Sequence, residues 1–292
     1  MYELIQVGEK SYYINCPAKI GIYKQNETDV YLIDSGNDKD AGKKVRRILE
    51  EQGWTLKGIM NTHSHADHVG GNAYLQQQTG CKVFACGIEA AFTEAPILEP
   101  TSLYAGYPCK DLRHKFLMAA GSKTVDFTDE DFPKEVEVIN LPGHSFQMVG
   151  FRLPDGTVFL GDCVAGESTL KKYQISFIYS VEEYLKTLDL VENLEGEWFV
   201  PSHVEPVKDI KELVRFNREK VYEIAEKVQD ILQQAMKFED LLKRIFDDYG
   251  LLMNFEQYAL VGSTLRSYLS WLKDQGKLVV EFKDNYLYWR RV

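Results

Sequence analysis

The chain has 292 residues, of which 45% are hydrophobic and 27% charged, and its formal net charge is −10. That length accommodates one large domain and a smaller one, and the composition excludes disordered, collagen-like and membrane-spanning classes, since no apolar run approaches the length of a span. Five scattered cysteines (Cys16, Cys81, Cys86, Cys109, Cys163) form no CxxC pair, and Met1-Tyr2-Glu3 opens without a basic or apolar leader pattern, so reduced thiols and a cytoplasmic placement are expected and a zinc ribbon is not.

In chain order, short apolar or alternating runs predict strands over 12–15, 19–23, 30–34, 58–61, 82–85, 136–140, 149–153 and 157–161. Between them, 38–52 carries Ala41, Val45, Ile48 and Leu49 at helical spacing with Gly53 as a stop. Asn72-Ala73-Tyr74-Leu75-Gln76 reads as a helix start, and Leu153-Pro154-Asp155-Gly156-Thr157 as a hairpin turn. Strands interrupted by helices make this an α/β protein. Residues 87–134 are punctuated by Pro96, Pro100 and Pro108 yet contain Phe92, Leu103, Tyr104, Tyr107, Phe116, Leu117 and Met118. They are expected to be a partly helical, lid-like insertion over a functional rim or against another subunit. His114, inside it, reads as a surface histidine, with substrate contact as the alternative. A second unit, 207–292, is expected to hold a long amphipathic helix over 207–236, helices over 238–249 and 255–273, and a hairpin around Asp284-Asn285.

Chemistry concentrates in Thr62-His63-Ser64-His65-Ala66-Asp67-His68, which holds three of the six histidines. It follows the apolar Gly58-Ile59-Met60, so the ligand types lie on a strand-to-helix loop, where His63 and His65, two apart, can face one ion while Asp67 and His68 turn to a second. A catalytic zinc takes about three protein ligands and a water. His144, Asp162 and His203 each follow an apolar strand and complete such shells. Sheet scaffolds present residues to one rim in this way. Cys163 could act as a soft ligand, but a buried thiol at a strand end is the simpler reading.

The HxHxDH run followed by His144, Asp162 and His203 resembles the metallo-β-lactamase superfamily, and within it the glyoxalase II-like hydrolases. The resemblance covers roughly residues 1–206 and includes Tyr31-Leu32-Ile33-Asp34-Ser35-Gly36, which is similar to the family's early strand-and-turn motif. It implies an αββα sandwich over 1–206. His63, His65 and His144 would hold a first metal and Asp67, His68 and His203 a second, with Asp162 bridging them. Asp34 would orient a ligand histidine. Two divalent ions, zinc by default with iron or manganese as alternatives, would activate a bridging hydroxide, and Asp67 would orient it and carry its proton. The chain departs from the family pattern at Ser145-Phe146-Gln147 after His144 and at Ser202 before His203. True β-lactamases of the superfamily generally lack the aspartate bridge, and its diiron flavoproteins typically have Glu where His65 stands.

A small thioester or other ester is therefore the expected substrate. The alternatives are a lactonase, a phosphodiesterase or endoribonuclease acting on RNA, and a mononuclear iron persulfide dioxygenase that would use part of the set. The three helices and hairpin of the tail resemble a winged-helix domain, and a similar tail follows the metal domain in lactamase-like endoribonucleases. Charge disfavours nucleic acid: residues 207–292 carry 15 Lys+Arg against 14 Asp+Glu, while 1–206 carry 19 against 30. Phosphate neutralisation needs a clustered basic face, and the candidate recognition helix offers only Arg266 and Lys273. Packing, or formation of a homo-oligomer, is the expected use of the tail.

Overall fold

The computed structural model describes residues 2–292. Its first half is built on a meander of four strands, β1 (Glu3–Gln6), β2 (Ser11–Asn15), β3 (Ile20–Lys24) and β4 (Asp29–Ile33), each antiparallel to the next. The strands expected over 19–23 and 30–34 are present as β3 and β4, and both of their faces are buried. Ile20, Ile22, Val30 and Leu32 point one way, and Tyr23, Tyr31 and Ile33 the other. Helix α1 (Lys39–Glu51) begins where Asp38 accepts from the amides of Asp40 and Ala41, both at 2.9 Å. It lays Val45, Ile48 and Leu49 on the first of those faces. Strand β5 (Thr55–Met60) then joins β4 in parallel, with Ile33 opposite Met60, so the residues after both strands leave the sheet at one level. The short α2 (Ala66–Val69), α3 (Asn72–Thr79) and a parallel edge strand β6 (Lys82–Phe84) complete this six-stranded sheet.

Helices α4 (Gly87–Glu94) and α5 (Leu98–Tyr104) follow, inside the segment 87–134, before the chain enters a second sheet. That sheet takes β7 (Glu137–Asn140), β8 (Val149–Arg152) and β9 (Thr157–Gly161), antiparallel in turn. Two helices absent from the sequence expectations come next, α6 (Glu167–Tyr173) and α7 (Val181–Glu192). Ser180-Val181-Glu182-Glu183 is a capping-box signature that would have announced α7, and the Ser180 hydroxyl accepts from the Glu183 amide at 3.4 Å. Strand β10 (Trp198–Pro201) pairs in parallel with β9. Tyr13, Tyr31, Met60 and Phe84 of the first sheet meet Phe151, Phe159 and Val200 of the second, and helices cover the outer faces. The layers are thus αββα, as expected.

The tail runs α8 (Lys211–Ile231), α9 (Phe238–Tyr249), α10 (Phe255–Asp274) and the hairpin β11 (Leu278–Lys283) and β12 (Tyr286–Arg291). The helix expected over 207–236 is shorter at both ends. Val207 is taken by β10, exchanging hydrogen bonds with Phe199, and Met236 pairs with Trp289 of β12. The Asp209 carboxylate accepts from the Lys211 amide at 3.0 Å and opens the helix there. One continuous core joins the second sheet to the tail. It runs from Leu160 and Phe199 through Val181 and Leu188 of α7 to Val221, Ile224 and Val228 of α8 and Leu265 and Leu269 of α10. No helix among the described residues is long and apolar enough to cross a membrane.

Candidate metal centre

Four strand ends supply the site. His63 stands three residues beyond β5, His144 four beyond β7, Asp162 directly after β9 and His203 two beyond β10. Since β7, β9 and β10 run the same way, their C-terminal ends share one rim. His144 is seated by Gly143, whose φ of +120° suits glycine and whose Cβ would lie 2.2 Å from the Tyr184 nitrogen.

Two groups of donor atoms converge there. The Nδ1 of His65 lies 2.9 Å from His63 Nε2 and 3.1 Å from His144 Nε2. In the second group His203 Nε2 is 3.4 Å from Asp67 Oδ2, and His68 Nε2 is 3.7 Å from the same oxygen. Asp162 stands between the groups, 3.6 Å from His144 Nε2 and 3.3 Å from the Nε2 atoms of both His68 and His203. All seven sequence-selected residues are therefore brought together. Three overlapping trios, His63/His65/His144, His63/His68/Asp162 and Asp67/His68/His203, each have donor spacing that could hold an ion, and none contains a cysteine. Cys163 is fully buried, and burial pushes its thiol far up. His114 lies outside the cluster, 3.8 Å from Glu256.

In four of the five rings a hydrogen bond on the far side fixes the tautomer. His68 Nδ1 donates to Asp34 Oδ2 at 2.8 Å, His144 Nδ1 to the Phe177 carbonyl at 3.1 Å and His203 Nδ1 to the Pro17 carbonyl at 2.8 Å. His63 Nδ1 donates to Thr62 Oγ1 at 3.0 Å, and that hydroxyl donates to Asp34 Oδ2 at 2.7 Å. In these four rings the nitrogen facing inward is thereby the one available to a metal, which on His68 and His203 takes the place of a proton. Asp34, selected from sequence as a ligand-orienting residue, thus serves two histidines. It does so at φ +63°, left-handed backbone in which Asp is among the less penalised side chains.

Two carboxylates that sequence reasoning passed over belong to the surroundings. Glu89 of α4 accepts from the Ser64 amide (2.9 Å) and hydroxyl (2.6 Å) with one oxygen, and from the Ser145 hydroxyl (2.7 Å) and Gln147 amide (2.9 Å) with the other. It ties the His63–His68 loop to the His144 loop. Glu99 of α5 lies 3.6 Å from His65 Nε2, its carboxyl pushed up to about 8 by burial and then by Glu89 and Asp67. No local pattern marks either glutamate, because burial of the insertion is a tertiary property.

Electrostatics divide the two groups. Burial pushes His63, His65 and His144 down, the last two to about 4, so the first trio is neutral at pH 7. Burial opposes charge on His68 too, but Asp162, Asp67 and Asp34 outweigh it and hold it up, and Asp162 raises His203 to about 10. Asp67 goes down to about 2: burial in the recess would raise it, and His68 and His203 prevail. The donor set fits divalent ions. His68 Nε2 and Asp162 Oδ1 are buried with no hydrogen-bond partner, and in the first trio the Nδ1 of His65 is crowded against His63 Nε2 and His144 Nε2 at 2.9 and 3.1 Å. A cation would satisfy the first two and draw the three nitrogens onto one centre.

The profile of the Metallo-beta-lactamase superfamily matches residues 16–203, most of the chain and every ligand candidate. The chain belongs to that superfamily. Among curated relatives, Beta-lactamase-like protein 2 homolog of Drosophila melanogaster is 23% identical over 87% of this chain and 84% of its own length. Hydroxyacylglutathione hydrolase of Hyphomonas neptunium is 33% identical, but the match covers only 39% of this chain and 36% of that protein. Among solved structures, a beta-lactamase domain protein from Burkholderia ambifaria superposes with a TM-score of 0.76 at 15% identity, covering 99% of this chain and 94% of its own. A metallo-beta-lactamase family protein from Thermus thermophilus gives 0.74 at 17%, covering 100% and 98%. These last two share the fold, tail included. Metallo-β-lactamase-fold hydrolases of this superfamily use divalent metal, and the His/Asp cluster lies where the sequence placed it.

Proposed function

We propose that this protein is a binuclear metal-dependent hydrolase of a thioester or related ester. The observation that carries the reading is Asp162, whose carboxylate reaches donor atoms of both ligand groups. His63, His65 and His144 would hold one ion, Asp67, His68 and His203 the other, and Asp162 both, with zinc the default for this N/O set and iron or manganese accepted by it. When bound, the ions polarise the acyl oxygen and make water nucleophilic at neutral pH. The chain's own residues do the rest. Asp67, with its carboxylate 43% exposed at the lip of the recess, orients the attacking water and holds its proton. The water oxygen bonds to the acyl carbon, the C–S or C–O bond breaks, and that proton goes to the departing thiol or alcohol. Asp34, Thr62 and the carbonyls of Pro17 and Phe177 keep the rings aimed.

The hydroxyacylglutathione hydrolases among the relatives support the thioester class through the part of the chain they match. We read 207–292 as a winged-helix-like packing unit and not as a nucleic-acid reader: the Arg266 guanidinium is stacked 3.8 Å from the centre of the Phe238 ring. Elemental analysis of reconstituted protein, with turnover of thioester and ester panels, tests the proposal. About two ions per chain are expected. Asp162→Ala should empty both positions and bring hydrolysis to background, while His114→Ala should leave metal content intact. A stoichiometry that stays at one under saturating metal would overturn the binuclear reading.

A further inference from the structure

A cavity of about 230 Å³ opens from the metal centre towards the tail, with His144, Asp162 and His203 at its inner end. Its far wall is one face of α10. Gln257, Leu260, Val261 and Thr264 all line it, at the i, i+3, i+4, i+7 spacing of a single helical stripe. Tyr173 and the loop carrying Ile175 and Phe177 line it as well. Wall and loop are locked together: Thr264 Oγ1 accepts from the Ile178 amide at 3.3 Å, and the Ser267 hydroxyl donates to the Tyr179 carbonyl at 2.6 Å. The same loop accepts from His144 through the Phe177 carbonyl, so the distance from wall to metal centre is fixed by bonded contacts.

The lining is chemically one-sided. Beyond the metal end, its side chains are apolar or carry uncharged hydroxyl and amide groups, and no Lys or Arg is among the described lining residues. Lys172 reaches only the outer edge, donating to the Tyr173 hydroxyl at 3.1 Å. An anionic substrate arm would leave bulk water for a site with no counter-charge, whereas an alkyl arm gains about three- to four-fold in binding for each methylene buried. At about 30 Å³ for a group the size of a water molecule, the volume holds on the order of eight such groups.

We propose that this cavity is an acyl-chain pocket, that it selects uncharged acyl groups of up to about eight carbons, and that α10 of the tail sets that limit. The proposal rests on the hydrolase reading for its reaction and on the cavity alone for its ligand class. Two series on metal-loaded protein separate them: kcat/KM for S-acyl-N-acetylcysteamine thioesters, and calorimetric affinity for n-alkyl hydroxamates, both from two to twelve carbons. Both should rise by about three- to four-fold per methylene and level off near eight carbons. Leu260→Trp fills the pocket and should lower the eight-to-two-carbon ratio about ten-fold or more in both series. Gln257→Leu, on the half-exposed part of the stripe, should raise it. A flat chain-length profile, a ratio unmoved by Leu260→Trp, or a preference for acyl groups ending in a carboxylate would overturn the pocket. A hydroxamate series that behaves as stated beside thioesters that are never cleaved would uphold the pocket and overturn the hydrolase reading.

Discussion

At the scale of residues, the centre depends on side chains that would never touch an ion. Asp34 reaches His68 directly and His63 through Thr62, so one carboxylate fixes the tautomers of two rings. Glu89 spans the two loops that carry His63, His65 and His144, each oxygen accepting from one backbone N–H and one hydroxyl. In Glu89→Gln the amide nitrogen must face one of those N–H groups, which cannot reverse its polarity. The variant should lose metal affinity on the order of 10–100-fold while keeping the fold, read by competition with a chromophoric chelator. Affinity equal to the parent's would mean that the two loops hold their spacing unaided. The ligands were legible in sequence because their types are rare and recur at strand ends. Glu89 was not, because an acidic residue in an insertion reads as solvated until tertiary packing buries it.

Elements show the same division. Those with their own punctuation were readable: α1 between Asp38 and Gly53, α9 ending at Gly250 with φ +63°, and the β8–β9 turn at Asp155-Gly156. Elements defined by a partner were not, among them β1, an edge strand paired only with β2, and the ends of α8, drawn into β pairing by Val207 and Met236. The β11–β12 turn was located but its demand is sharper than its sequence suggests. Asp284 and Asn285 are both left-handed, at φ +53° and +62°, the backbone of a two-residue hairpin turn with the twist of its strands. Asn285→Val should therefore cost about 1–2 kcal/mol in denaturant unfolding, while Asn285→Gly should cost nothing or stabilise. Equal midpoints for the two variants would show that the turn relaxes freely.

For the whole molecule, the histidines make stability depend on pH in two opposite ways. His65 and His144, lowered to about 4 by burial, contribute fully above the ordinary histidine value of 6.5, and that contribution is lost as pH falls towards 4. His203, raised to about 10 by Asp162, contributes fully below 6.5 and loses it as pH rises towards 10. Protein kept free of metal with a chelator should thus show a Tm maximum near pH 6.5 and decline on both sides. Metal-loaded protein should lose the alkaline decline, since a cation then takes the place of the proton on His203. A chelated sample whose Tm keeps climbing to pH 9 would contradict the assignment of charge to the second trio.

The core that runs unbroken from the second sheet into the tail has a consequence for how such a protein changes over generations. Val261 and Thr264 line the cavity, yet they sit on the helix whose Leu265 and Leu269 are part of that core. A substitution that widens the cavity at α10 also removes packing, at about 2–5 kcal/mol for a buried aliphatic residue cut to alanine, a large share of a typical domain's margin. Tyr173, a half-exposed lining residue outside that core, carries no such burden. Lineages adapting to bulkier acyl groups should accordingly accumulate their replacements around Tyr173 and at the partly exposed Gln257 and Leu260, keep the buried Val261 and Thr264 nearly frozen, and acquire a different chain-length limit only together with a different core when a foreign tail is grafted.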